Sequence, residues 1–223
     1  MARLSHILGI STLSRQDIFK ILKLADTFKR AKQVPSSLKG KTVINLFFEP
    51  STRTRLSFET AAKRLGATSI HISAEQSSAV KGETLIDTAK TIEAMKPDIL
   101  VMRHPASGAP YLLSQFLNIP VINAGDGFHE HPTQALLDLM TIQEHKKRIQ
   151  GLKVLIVGDI AHSRVARSNI YGLKKMGAIP ILCGPPTLIP PLIEKLDVAV
   201  YTDLKEAIRD VDVVMMLRVQ TER

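Results

Sequence analysis

The chain has 223 residues, 44% of them apolar, enough to bury the cores of one large or two modest α/β domains and too many for a disordered tail. No run of about 18 apolar residues occurs, and Met1-Ala2-Arg3-Leu4-Ser5-His6 has neither the apolar core nor the cleavage site of a signal peptide, so a cytoplasmic protein without a membrane span is expected. The single Cys183 excludes an internal disulfide, and the formal charge of +9 points to nucleic acid, a membrane surface or small anions as partners.

The distribution of charge decides among these. The only dense basic run is Lys146-Lys147-Arg148, which reads as a solvated helix end where cations also suit the helix dipole. With aromatics at 4% and no motif interleaving them with basic residues, nucleic acid ranks below an anionic small molecule.

In chain order, Ser14-Arg15-Gln16-Asp17 has the form of a capping box, and Ile18, Ile21, Leu22, Ala25 and Phe28 follow at helical spacing. Lys41 to Phe48 is continuously apolar and β-favouring after its first residues, as in a strand buried on both faces of a parallel sheet. Glu49-Pro50-Ser51-Thr52-Arg53-Thr54-Arg55-Leu56-Ser57-Phe58-Glu59 then opens a helix. Arginine in a first helical turn faces the positive end of the macrodipole, an arrangement that an anion would reverse. Free backbone N–H groups, hydroxyls and guanidinium forks at one helix start are the parts of a phosphate cradle; the bland reading is a capped surface helix with solvated arginines.

Next come a short strand at Thr68 to Ile72, a small polar loop at Ser73 to Gly82, a helix from Glu83 to Met95, and a strand at Ile99 to Met102 ending in Arg103-His104-Pro105. A short helix at Pro110 to Leu117 leads to the strand Pro120 to Asn123 and the turn Ala124-Gly125-Asp126-Gly127. His131-Pro132-Thr133-Gln134 starts a helix with the apolar stripe Ala135, Leu136, Leu139 and Ile142. A fresh alternation begins at Gly151: strand Lys153 to Val157, helix Ser163 to Met176, strand Pro180 to Cys183, a short helix ending at Leu196, strand Val198 to Tyr201, helix Leu204 to Arg209 and strand Val211 to Leu217. The pattern predicts an α/β protein of two domains, residues 1–150 and 151–223, each with a mostly parallel sheet flanked by helices.

Ligands of open parallel sheets sit beyond the carboxyl ends of the strands. Ser51 to Arg55, Arg103, His131 with Gln134, Arg164, and Arg218 with Gln220 all follow strand ends, so a cationic crevice for polyanionic small molecules is expected. Singly, each has a plainer reading: His131 as a cap, Arg164 and Arg218 as ion-pair partners, Lys81 as a solvated loop residue. Gly158-Asp159-Ile160-Ala161 lacks the GxGxxG pattern and no GxxxxGK[ST] occurs, so neither a dinucleotide nor a nucleotide-hydrolysing site is expected. Histidines and acids show no metal-ligand spacing, and a lone cysteine cannot make a thiolate site. No metal or cofactor is expected.

Ser51-Thr52-Arg53-Thr54-Arg55 with Ser57-Phe58-Glu59 resembles the carbamoyl-phosphate signature of the aspartate and ornithine carbamoyltransferases, and His131-Pro132-Thr133-Gln134 resembles that family's HPTQ signature. Lys81-Gly82-Glu83-Thr84-Leu85-Ile86-Asp87-Thr88 and Arg218-Val219-Gln220-Thr221-Glu222-Arg223 resemble the lysine loop and the RVQxER motif of the aspartate branch. The resemblance implies a Rossmann-like second domain, and relatives continue past the position of Arg223, so an incomplete second domain is expected. It implies transfer of a carbamoyl group from carbamoyl phosphate to L-aspartate, an early step of pyrimidine synthesis. Ser51, Thr52, Arg53, Thr54 and Arg103 would hold the phosphate, Gln134 would orient the carbamoyl amide, and Thr54, Arg103 and His131 would polarise its carbonyl. Arg164, Arg218 and Gln220 would grip the aspartate carboxylates. Ser77 and Lys81 would reach the site of a neighbouring copy, both to bind carbamoyl phosphate and Lys81 also to bind aspartate and to act with Arg53, Thr54, Arg103 and His131 in catalysis, which implies a homotrimer with shared sites; a regulatory chain or another pathway enzyme is a further expected partner. The alternatives are a carbamoyltransferase for another amino acid such as ornithine, and a non-catalytic anion-binding subunit.

Overall fold

The computed structural model describes residues 6–73 and 83–219. Contacts divide the chain into two compact units: one holds the chain through Thr12 with Leu24–Pro132, the other Leu13–Lys23 with the chain from Thr133 onward. The division falls at the start of a helix rather than at Gly151. Among the described residues no helix is long and apolar enough to cross a membrane.

In the first unit, β1 (Thr42–Phe47), β2 (Thr68–Ser73), β3 (Ile99–His104) and β4 (Val121–Asp126) make a sheet of order β2-β1-β3-β4 in which every pairing is parallel. Its crossovers carry α2 (Thr52–Arg64), α3 (Leu85–Ala94) and α4 (Ala109–Ser114). Side chains alternate across a strand, so β1 feeds two cores. Ile44 and Leu46 pack with Leu100, Met102, Ala89, Ile92 and Leu113 on the α3 and α4 side. Val43 and Phe47 pack with Val101 and Ala62 on the α2 side. Burial on both faces is why β1 reads as a mostly apolar run, interrupted at Asn45, whose Nδ2 donates to Ser69 Oγ at 3.0 Å.

β4 runs three residues further than the expected Pro120 to Asn123. Between the pairs Met102↔Asn123 and His104↔Asp126 the strand carries one extra residue, a bulge at which Gly125 takes φ 112°. Glycine reaches that angle without a Cβ clash, so the strand bends and continues where composition suggested a turn. The outer edge of β4 is met by Ile7, whose N–H donates to Val121 O at 2.9 Å and whose carbonyl accepts from Asn123 N at 2.8 Å.

The second unit contains β5 (Lys153–Val157), β6 (Ile179–Cys183), β7 (Ala199–Tyr201) and β8 (Val213–Met216), again all parallel, in the order β7-β6-β5-β8. Renumbered from its first strand this is 3-2-1-4, the opening of the Rossmann order. α6 (Arg164–Lys175) and α7 (Leu204–Ala207) lie in its crossovers. The helix expected before Leu196 is two 3-10 turns, Pro186–Leu188 and Ile193–Leu196. Four prolines between 185 and 191 each lack a backbone donor, which forbids a continuous α ladder there.

α1 (Arg15–Arg30) starts with the expected box: Asp17 N–H donates to Ser14 Oγ at 3.1 Å and Ser14 N–H to Asp17 Oδ2 at 3.2 Å. Its first turns are tied to the second unit by Lys175 Nζ on Leu13 O at 2.6 Å and Arg15 Nη2 on Gln150 Oε1 at 3.2 Å. α5 (Pro132–Lys146) begins where the first unit ends.

Candidate active site

In the first sheet the chain leaves β1 for β2 on one side and later enters β3 on the other, so the β1/β3 pair is the topological switch point, where crevices form at carboxyl ends. The two ends are joined directly: Phe47 is in register with Arg103, and Phe48 N–H donates to Arg103 O at 2.9 Å. The α2 start and Arg103 are therefore neighbours because of strand order.

Ser51 is the N-cap residue of α2, in extended conformation at φ −161°, yet its hydroxyl makes no cap hydrogen bond. The first turn contains no acid. A hydroxyl that makes no cap hydrogen bond, over a positive dipole end without a carboxylate, is an arrangement whose chemistry suits an anion. Arg55 turns aside: its Nε lies 3.7 Å from Glu59 Oε1. Burial lowers the pKa of His71 on β2, and the charge of Arg55 lowers it further. Arg53 is exposed and forms no ion pair with an acid among the described residues.

Arg103 closes β3 with its side chain 14% exposed; Nε stands 3.2 Å from Glu49 Oε2 and Nη1 donates to Ala124 O at 3.3 Å. Glu49 and the end of β4 thus hold the guanidinium plane. His104 beside it packs edge-on against Phe48 and accepts from Ala106 N–H at 2.9 Å; burial holds its pKa below the ordinary histidine value.

His131 is buried and sits immediately before α5, with Pro132 at the first helical position, where its missing N–H costs nothing. The turn leading to it is organised by Asp126, 1% exposed. Asp126 Oδ2 accepts from Gly108 N at 2.6 Å and faces His129 Nδ1 at 3.0 Å, while Oδ1 accepts from Asn123 Nδ2 at 2.8 Å and Glu130 N at 3.1 Å. Burial alone raises this carboxyl, but the hydrogen bonds from His129, Gly108 and Asn123 with the attraction of His129 outweigh it and hold the pKa below the usual value. Glu130, fully buried, takes the N–H groups of Ile10 at 2.7 Å and Ser11 at 3.1 Å, pinning the N-terminal segment to the same turn.

In the second sheet the switch point lies between β5 and β8, and Leu217 N–H donates to Val157 O at 2.8 Å. Arg164 opens α6 after β5, and Arg218 follows β8, so both arginines leave adjacent strand ends. Arg164 is buried and Arg218 exposed. Ser163 caps α6 by accepting from Ala166 N at 3.1 Å. Gly158 allows the close approach of the strands: at φ 124°, a Cβ there would lie 2.6 Å from Leu217 O. Asp159, 1% exposed, faces His162 Nδ1 at 2.9 Å from Oδ1, repeating the Asp126 and His129 arrangement. On α5, Gln134 Nε2 donates to Asp138 at 2.9 Å.

Of the residues singled out from the sequence, Ser51, Thr52, Arg53, Thr54, Arg103 and His131 are carried by the β1, β3 and β4 ends of the first unit, and Gln134, Arg164 and Arg218 by the second. Ser77, Lys81 and Gln220 lie outside the described residues. Sequence reasoning missed Glu49, Asp126, Glu130 and Asp138. Two signals could have found some of them: the repeated Gly-Asp-x-x-His spacing at 125–129 and 158–162, and the i, i+4 placement of Gln134 and Asp138 on one helix face. No cluster of three metal-ligating side chains occurs among the described residues.

Residues 5–144 match the family model of the aspartate/ornithine carbamoyltransferase carbamoyl-P binding domain. The aspartate carbamoyltransferase catalytic subunit of Syntrophotalea carbinolica is 59% identical over 98% of this chain and 71% of its own length. The solved aspartate transcarbamoylase of Trypanosoma cruzi in complex with carbamoyl phosphate superposes with a TM-score of 0.90 at 34% identity, over 98% of this chain and 73% of that one. The ornithine carbamoyltransferase of Pyrococcus furiosus has the same fold, with a TM-score of 0.88, at 29% identity over all of this chain and 75% of that one. The chain belongs to the aspartate/ornithine carbamoyltransferase family, among the aspartate carbamoyltransferase catalytic subunits.

Proposed function

We propose that this protein transfers the carbamoyl group of carbamoyl phosphate to the amine of L-aspartate, giving N-carbamoyl-L-aspartate and phosphate, as an early step of pyrimidine synthesis. The observation that carries the reading is the start of α2, where Ser51 leaves its helix uncapped, no acid occupies the first turn, and Arg53 stands without a carboxylate partner among the described residues. Ser51, Thr52, Arg53, Thr54 and Arg103 bind the phosphate. Thr54, Arg103 and His131 polarise the carbamoyl oxygen and Gln134 orients the carbamoyl amide. Arg164, Arg218 and Gln220 hold the two carboxylates of aspartate, a task suited to planar guanidinium forks.

The aspartate amine attacks the carbamoyl carbon and forms the C–N bond; a tetrahedral oxyanion develops, and the bond to the phosphate oxygen then breaks. Each fixed donor aimed at that oxyanion is worth about 10²–10³ in rate. The departing phosphate, a base of adequate strength placed beside the nitrogen, takes the amine proton.

The test is phosphate release from carbamoyl phosphate with L-aspartate, with L-ornithine and with neither. Release that depends on aspartate supports the reading; release with ornithine moves the substrate to another amino acid, and binding of carbamoyl phosphate without turnover supports an anion-binding subunit. Ser77 and Lys81 serve a neighbouring copy in a trimer. Mixing Lys81→Ala chains with Arg53→Ala chains then restores part of the activity lost in each, and no recovery refutes shared sites.

A further inference from the structure

Asp138 is a carboxylate with no cation partner among the described residues. Gln134 Nε2 donates to its Oδ1 at 2.9 Å and Asn169 Nδ2 to its Oδ2 at 2.7 Å. Burial pushes its pKa up, against the two amide hydrogen bonds. Asn169 is fully buried and its Nδ2 also donates to Val165 O at 3.1 Å, so the carboxylate is gripped by α6 on one side and Gln134 on the other. A half-buried carboxylate held by neutral amides alone carries a desolvation cost that an apolar residue would avoid.

What it supplies is direction. The two ends of a glutamine amide are nearly isosteric, one a double donor and one an acceptor, and the partner decides which end faces where. Both Asp138 oxygens accept from amide N–H groups, so Oδ1 holds the Gln134 nitrogen and turns the Gln134 oxygen the other way. The carbamoyl group carries two N–H donors for such an oxygen, whereas the methyl of acetyl phosphate carries none. A site built to hydrogen-bond a substrate N–H rejects the analogue that lacks it, because a desolvated acceptor is left unpaired.

We propose that Asp138 is a positioning residue that fixes the Gln134 amide with its oxygen presented, and thereby makes the protein select acyl phosphates bearing an N–H over those bearing a methyl. The proposal rests on the reading of Gln134 as the partner of the carbamoyl amide. Asp138→Asn offers one acceptor and one donor to two amide donors, so Gln134 turns over or loses its partner at no change in volume.

The experiment titrates the whole chain with carbamoyl phosphate and with acetyl phosphate by calorimetry and takes the ratio of the two dissociation constants. Gln134→Ala and Asp138→Asn each lower the preference for carbamoyl phosphate by about tenfold, the size of one lost hydrogen bond, and the double variant lowers it no further. Asp138→Ser, which removes the carboxylate by a different route, gives the same shift. An unchanged ratio in Gln134→Ala removes the reading of Gln134 and the proposal with it. A lowered ratio in Gln134→Ala with a wild-type ratio in both Asp138 variants overturns the positioning role alone, as does an undiminished effect of Asp138→Asn when Gln134 is already alanine.

Discussion

Replacing Asp126 by alanine should unfasten the turn before His131. The carboxylate is 1% exposed and accepts four hydrogen bonds, but the four losses are unequal. Asn123 Nδ2 keeps Leu8 O at 2.8 Å, and the half-exposed His129 reaches water. The backbone N–H groups of Gly108, half-buried, and Glu130, buried, lose this acceptor at about 1–3 kcal/mol each, so the substitution costs up to roughly 2–6 kcal/mol. Because Gly108 belongs to the loop after Arg103 and Glu130 adjoins His131, carbamoyl-phosphate binding falls with stability. Urea unfolding measures the loss, and amide exchange at Gly108 and Glu130 localises it to the first unit, which a global transition in a two-unit chain does not. A loss under about 1 kcal/mol with both amides still protected would refute the reasoning. The pH dependence has a definite sign. The folded pKa of Asp126 is depressed, so its contribution is complete above the unfolded carboxylate value and disappears as pH falls through the folded one; Asp126→Ala flattens the stability profile in that acid window.

Arg53→Ala removes a guanidinium that pairs with no acid among the described residues, so it should weaken phosphate binding by about 10–100-fold in calorimetry while the melting temperature stays put. Gly158→Ala places a Cβ 2.6 Å from Leu217 O at φ 124°; strain of about 1–3 kcal/mol or more should lower the melting temperature and push apart the strand ends that carry Arg164 and Arg218, raising the KM for aspartate more than that for carbamoyl phosphate. Ser163→Ala deletes the cap of α6 and should cost about 1 kcal/mol in urea unfolding.

Much of this protein was legible along the chain. The parallel strands announced themselves as short apolar runs, and the helices between them by spacing and caps such as Ser14 with Asp17. The candidate phosphate-binding stretch stood out along the chain because arginines in an acid-free first turn contradict the dipole rule. Boundaries governed by one backbone angle were not: β4 passes through Gly125 on a bulge, and the residues before Leu196 form 3-10 turns among prolines. Asp126, Glu130 and Asp138 escaped notice since their roles are to hold other residues, and a carboxylate's partners are set by which loops meet it.

Local physics, then, determined from sequence alone the α/β alternation, the acid-free helix start at Ser51 and the residue types presented after each strand. Tertiary structure decided which ends are neighbours. The orders β2-β1-β3-β4 and β7-β6-β5-β8 bring Arg103 beside the start of α2 and the start of α6 beside the residues after β8. Strand order is a property of long-range pairing between segments far apart in the chain, where each strand's apolar faces fit several partners equally well; only the simultaneous packing of all crossovers selects one.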